Sequence, residues 1–242
     1  MPVSSNVRRL MRQPEQVLLR WKASLPSMVS VTGLYARCPI AHKWKSTYRS
    51  LVLRESLFWR TFDLLTQAEA LHSLDHTLGA RVLLRSALET VALLVHLNQV
   101  TEKLISGSMT YQDFDAKTRR LLLGSRDGST KHQSVSTITV LEHCDKRFPG
   151  LSVVYATLCE SAHPNFEGVC IGYSDVDHDR DETHFSNNWS AMWADRHDGL
   201  FILIAKLFEH EYNEIWPPQL DRLEAWLVEN DSRISNDGTK DA

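Results

Sequence analysis

Arg81, Arg85 and Glu89 follow one another at intervals of four residues, and His96 comes seven residues after Glu89. On a helix that spacing puts all four side chains along one side. The surrounding segment, from Ala80 to Leu97, is otherwise mostly apolar, so the charged stripe would sit among greasy neighbours. An unpaired buried charge costs several kcal/mol, and these residues must therefore find partners or face a cleft. In a cleft, Arg85 would hold an anionic group such as a phosphate or carboxylate. Glu89 would orient that group or act as a base, with Arg81 beside them. Without a cleft, Arg85 and Glu89 pair along the helix or with adjacent helices and pin the register of a bundle. Both readings stay open at this level. His96, a single histidine late in the helix, reads as a core or surface residue rather than a catalyst.

A second constellation lies in Leu158–Gly168, LCESAHPNFEG. The residue before a proline is steered away from helical geometry, so the helix leading into it ends at His163. A histidine there meets the carbonyl end of the helix dipole, which favours the protonated ring. Glu160 and Asn165 flank it as orienting or binding partners. The bland alternative is a helix stop with a histidine C-cap.

A third stretch alternates Asp175, Asp177, Asp179 and Asp181 with Val176, His178 and Arg180, and His184 follows. A calcium loop of the EF-hand kind needs glycine at its sixth position and glutamate at its twelfth, where this chain has Arg180 and Ser186. The segment therefore reads as a solvated surface loop, and no metal is assigned to it. No phosphate loop, Gly-x-Ser-x-Gly elbow, His-Glu-x-x-His or dinucleotide fingerprint is present, and no cofactor is expected.

The helix LLRSALE (Leu83–Glu89) together with LCESAHPN (Leu158–Asn165) resembles a group of uncharacterised bacterial helical proteins of unknown function. These in turn are similar to the HEPN-like helical domains of toxin–antitoxin and phage-defence systems. The resemblance covers about Leu51–Gly168. It implies an α-helical bundle, often a homodimer, in which an arginine and a histidine on neighbouring helices act on RNA as a metal-independent ribonuclease or an RNA-binding protein. Active HEPN ribonucleases share an Arg-x4–6-His motif. Here only Arg37–His42 and Arg126–His132 have that spacing, and chance alone predicts about two such matches. A composite of Arg85 and Glu89 with His163, drawn from separate helices, is the expected catalytic centre under this reading. The alternatives are a non-enzymatic interaction module with a buried Arg/Glu network, or a binder of a small anionic ligand.

The elements that must position these residues follow from periodicity. Gln13–Ser24, Ser46–Ser73 and Leu74–Asn98 read as helices, the last apolar nearly all round and hence buried. Thr101–Leu123, Val135–Arg147, Leu151–Ala162, Trp189–Ile215 and Gln219–Glu229 add further helices, with Pro217-Pro218 closing the long penultimate one. Trp189, Trp193, Ile202 and Phe208 on that helix fit a core or a dimer face. Pro26–Lys45 reads as an irregular connection and Pro164–Asn187 as a polar, acidic one. The expected fold is all-α, a multi-helix bundle with a buried central helix. It forms one domain over residues 1–230, with its core at about 46–216 and a disordered tail from 231 to 242.

The chain of 242 residues carries 27 basic and 30 acidic residues, a net charge of −3, so no global footprint for nucleic acid exists. Four scattered cysteines suggest a reducing compartment. The N-terminus has basic residues but no apolar run, and no segment is long enough to span a bilayer, which places the protein in the cytoplasm without a membrane partner.

Overall fold

The computed structural model describes residues 12–238 and opens with α1 (Gln13–Ser24), where Pro14 sits in the first turn and needs no donor. The connection that follows is more ordered than its prolines suggest. It contains α2 (Val31–Arg37), capped by the Ser30 hydroxyl accepting from the Gly33 N–H at 3.0 Å, and the short α3 (Pro39–His42).

Next come two helices of 29 residues, α4 (Lys45–Ser73) and α5 (Thr77–Ile105), joined by a turn in which Asp75 adopts φ 58°. So short a turn folds them back antiparallel, and they pack together along their length. After α6 (Tyr111–Leu123), α7 (Thr137–Asp145) and α8 (Leu151–Ala162) form a helical hairpin. Its turn needs Gly150, at φ 97°, and the Asp145 carboxylate accepts from the N–H groups of Gly150 and Ser152. The polar segment after His163 is not wholly irregular. It holds a π-helical turn over Phe166–Ile171 and a two-stranded antiparallel hairpin, β1 (Ser174–Asp177) with β2 (Glu182–Phe185), in which Asp175 faces His184.

The stretch expected as one helix from Trp189 to Ile215 is divided into α9 (Trp189–Trp193), a 3-10 turn and α10 (His197–Glu209). A π-helical turn over His210–Ile215 then runs directly into α11 (Trp216–Gly238). Pro217-Pro218 do not close the helix. They occupy the first turn of α11, and the wider π turn absorbs the donors they lack: the Trp216 N–H reaches the Glu211 carbonyl, and the Tyr212 carbonyl accepts from Arg54 Nη2 at 3.0 Å. Nor does α11 end near Glu229. It continues through the expected disordered tail to Gly238, because Ile234 packs in a second core cluster with Val100, Leu104, Phe114, Leu223 and Leu227. Residues 239–242 lie outside the described part of the chain.

The fold is an all-α bundle with α5 at its centre. Helices α4, α6, α7, α8, α10 and α11 all contact α5, and its Leu84, Ala87, Leu88, Val91, Leu94, Val95 and Leu97 are buried. Among the described residues no helix is long and apolar enough to cross a membrane. Replacing Ile234→Ala should lower the unfolding free energy by about 2 kcal/mol or more in a urea titration, since it removes a fully packed side chain. A disordered tail would show no change.

Candidate functional site

Arg81 is the innermost member of the stripe, only 2% exposed. Its Nε donates to Ser161 Oγ at 2.7 Å and its Nη2 to the Thr157 carbonyl at 3.1 Å, both on α8. Its guanidinium lies 3.9 Å above the Trp193 ring of α9. The Ser161 hydroxyl in turn donates to Glu167 Oε1 at 2.7 Å. Burial pulls the Arg81 pKa down to about 10 against the favourable charge of Glu167, so the group is still a cation at neutral pH.

One turn on, Arg85 Nη2 donates to the Tyr155 hydroxyl at 3.2 Å, and that hydroxyl donates to Glu89 Oε1 at 2.8 Å. Arg85 Nε stands 3.3 Å from the same carboxylate oxygen. The triangle is closed. Burial, together with the hydrogen bond to Glu89, pushes the Tyr155 phenol up to about 12, which keeps it a neutral donor and not a base.

The composite centre is not assembled. Arg81 is level with Ser161, and Arg85 with Tyr155, so α5 and α8 run antiparallel and the end of α8 lies beyond the Arg81 end of the stripe. By that register His163 is level with the start of α5, roughly 10 Å along the axis from Arg85. Its ring is exposed at the C-cap, and no hydrogen bond or ion pair among the described residues joins it to Arg85 or Glu89. Glu160 and Asn165 pair with each other, and the Asn165 side-chain oxygen also caps the π turn by accepting from the Gly168 N–H at 2.9 Å. Arg37 and His42 both seat on Glu224 of α11, as struts for the α2–α3 segment. On the exposed hairpin, His184 lies 3.4 Å from Glu182, and among the described residues its histidines form no ligand cluster with the aspartates.

A site the stripe did not announce lies four turns further along α5. A cavity of about 630 Å³ opens between α5, the end of α7 and the start of α11. Beneath it Glu211, wholly buried in the π-helical turn, accepts from Asn98 Nδ2 at 2.7 Å and faces Arg147 Nη2 at 3.0 Å. Burial raises its carboxyl pKa. Gln219 Nε2 donates to the Asn98 carbonyl at 2.9 Å. Among the described residues, the amide oxygens of Asn98 and Gln219, both buried and both on lining residues, have no donor. At the rim stand exposed Lys103 and Lys146, and His143 stacks on His96 with ring centroids 5.5 Å apart. Burial, and then the charges of Lys103 and Lys146, lowers the His143 pKa.

No family model, no curated protein and no solved structure matches this chain. Geometry alone therefore bears on function, and it divides the polar groups of α5 in two. The two arginines of its first half are engaged by α8, with Arg85 Nε held only by its ion contact with Glu89. From His96 to Lys103, by contrast, the Asn98 amide oxygen has no donor among the described residues. Glu211 and Gln219, essential to the second group, lie more than a hundred residues from Asn98 in the chain, and only the placement of Asn98 among apolar residues hinted at them.

The arginine-bearing half should behave as structure. Arg81→Ala should cost about 3 kcal/mol in chemical denaturation, because it leaves a cavity at a 2% exposed position and takes the donor from buried Ser161 and the Thr157 carbonyl. Arg85→Ala, in a more solvated triangle, should cost about 1 kcal/mol or less.

His96 is held near pKa 4, first by burial and then by the charges of His143, Lys117 and Lys103, with the Gln99 hydrogen bond opposing them. Its folded pKa lies below the ordinary 6.5, so the unfolded chain takes up the proton first. Stability should be greatest above pH 6.5 and fall as pH drops toward 4, by about 3 kcal/mol at most from this group. His96→Asn should flatten that part of a denaturation-versus-pH curve.

Proposed function

We propose that this protein is a non-enzymatic helical binding module, acting in the cytoplasm, that takes a small anionic ligand in the cavity between α5, α7 and α11. One observation carries the proposal. Lys103 and Lys146 stand at the mouth without an ion-pair partner among the described residues, over a floor of buried amide groups that still has acceptor capacity. Arg147 and Arg222 at the same mouth are already neutralised, by Glu211 and by a bidentate contact with Glu102. The two lysines supply attraction for an anion, and Asn98 and Gln219 would accept hydrogen bonds from donor groups on the same ligand. The Arg85–Glu89–Tyr155 triangle serves the fold in this account.

The ribonuclease or RNA-binding activity and the homodimer that a HEPN-like resemblance implies are the alternative, and RNA would use the same basic mouth. Thermal unfolding in the presence of phosphate, a dicarboxylate, a nucleoside monophosphate or a short single-stranded RNA separates the two. Under the proposal at least one small anion raises the melting temperature in a saturable way, and Lys103→Glu with Lys146→Glu abolishes the rise. Binding should also raise the His143 pKa, visible in an NMR titration. A response to RNA alone, weakening steeply with salt, would replace the proposal with the RNA-acting alternative. No response to any of the four would overturn both.

A further inference from the structure

Far from that cavity, α4 and α10 bring together Glu69, His197 and Asp198. Each offers one ligand atom, and the three atoms lie within 4.8 Å of one another. His197 Nε2 is 3.3 Å from Glu69 Oε2, close to the edge of a tetrahedron with bonds of about 2.0–2.1 Å. The side chains of Glu69 and His197 are 9% and 2% exposed. Among the described residues neither Glu69 oxygen nor His197 Nε2 makes a hydrogen bond of regular geometry; Glu69 Oε1 has an ion contact with Arg12, and the buried imidazole nitrogen has no partner beyond the Glu69 carboxylate beside it. The His72 ring stacks on His197, centroids 4.0 Å apart and nearly parallel, which fixes the plane of the imidazole.

Two carboxylates this close repel unless a cation lies between them. In this structure the cation is Arg12, the residue before α1. Its Nη1 lies 3.2 Å from Asp198 Oδ1 and its Nη2 contacts Glu69 Oε1. The guanidinium there satisfies charge, but it is spent on the two carboxylates and makes no hydrogen bond with His197 Nε2. A divalent ion satisfies all three.

We propose that Glu69, His197 and Asp198 form a site for a divalent transition metal of the zinc class, and that Arg12 holds the place of the metal when it is absent. One imidazole and two carboxylates match the nitrogen and oxygen preference of zinc and leave a fourth position for water. Metal and Arg12 exclude each other, so loading the site undocks the start of α1.

The test uses the full chain, stripped with a chelator and titrated with Zn2+ against a chromophoric competitor, with Co2+ absorption reporting the coordination geometry. One equivalent should bind, with d–d bands in the visible for Co2+. Arg12→Ala should tighten binding by about tenfold, the effect expected of removing a competing charge. His197→Ala and Asp198→Asn should each weaken it by about tenfold or more. Asp198 is only half-buried, so that variant keeps the test valid if His197→Ala does not fold. Binding below one equivalent, affinity unchanged in Asp198→Asn, or affinity unchanged in Arg12→Ala would each overturn the proposal.

Discussion

A helix of 29 residues that is apolar around most of its circumference has no stable place in water, and α5 is such a helix. Each large side chain it buries is worth about 1.5–3 kcal/mol, so the favourable arrangement is the one that covers it on every side. The antiparallel return of α4 covers one face, and α7 with α8, α10, and α11 with α6 cover the others. Burial of this kind sets register less sharply than polar pairing does, because apolar side chains can repack against one another whereas a buried donor has few acceptors within reach. The polar residues of α5 are more exacting. Arg81 requires Ser161 and the Thr157 carbonyl, Thr90 receives Arg60 Nε at 3.1 Å, and Asn98 requires Glu211. A shift of one residue along any of these helices would leave a buried donor or charge without its partner, at a cost of about 1–3 kcal/mol or more. Apolar surface decides that the helices gather around α5, and a few polar pegs decide where each stops.

The connection from Pro26 to Lys45 obeys the same logic from outside the core. Its prolines and its lack of periodicity remove the usual helical signal, yet it lies in ordered contact with α11: Arg37 and His42 on Glu224, and Lys43 and Trp44 on Asp231. Those contacts also explain why α11 persists to Gly238. A segment whose apolar content is little more than Ile234 would not hold a helix by itself, but it is fastened along one side by the connection and along the other by the second core cluster.

What could be read from residues alone was whatever depends on neighbours within one helix. The bounds of α4 and the face shared by Arg81, Arg85 and Glu89 follow from a spacing of 3.6 residues per turn, as do the burial of α5 and the all-α class. What depends on the offset between helices was not legible. His163 and Arg85 belong to two helices that do touch, but the antiparallel register sets Arg85 opposite Tyr155, and nothing local encodes that register. The π turn at His210–Ile215 escaped for a related reason. Pro217-Pro218 ordinarily ends a helix, and continuation is possible only because Arg54, far away in the chain, takes up the Tyr212 carbonyl that the prolines cannot serve.

The π turn also places Glu211, and the consequence reaches the cavity. In a regular helix the residues from His210 onward would advance by one more position around the axis, and the carboxylate would not meet both Asn98 and Arg147. Widening the turn aims Glu211 inward, where Asn98 spends its amide N–H groups on it and is left with an oxygen that no donor reaches. Gln219, one turn into α11, spends its own N–H groups on the Asn98 carbonyl and Glu102 and is left in the same state. The same backbone feature that lets the chain pass two prolines therefore creates a pair of buried, unanswered acceptors beneath two exposed lysines. At Arg81 and Arg85, by contrast, the guanidinium groups are engaged by Ser161, the Thr157 carbonyl and Tyr155, and Arg85 Nε stands in ion contact with Glu89. The unanswered amide oxygens of Asn98 and Gln219 lie where helix packing is irregular, beside the second half of α5.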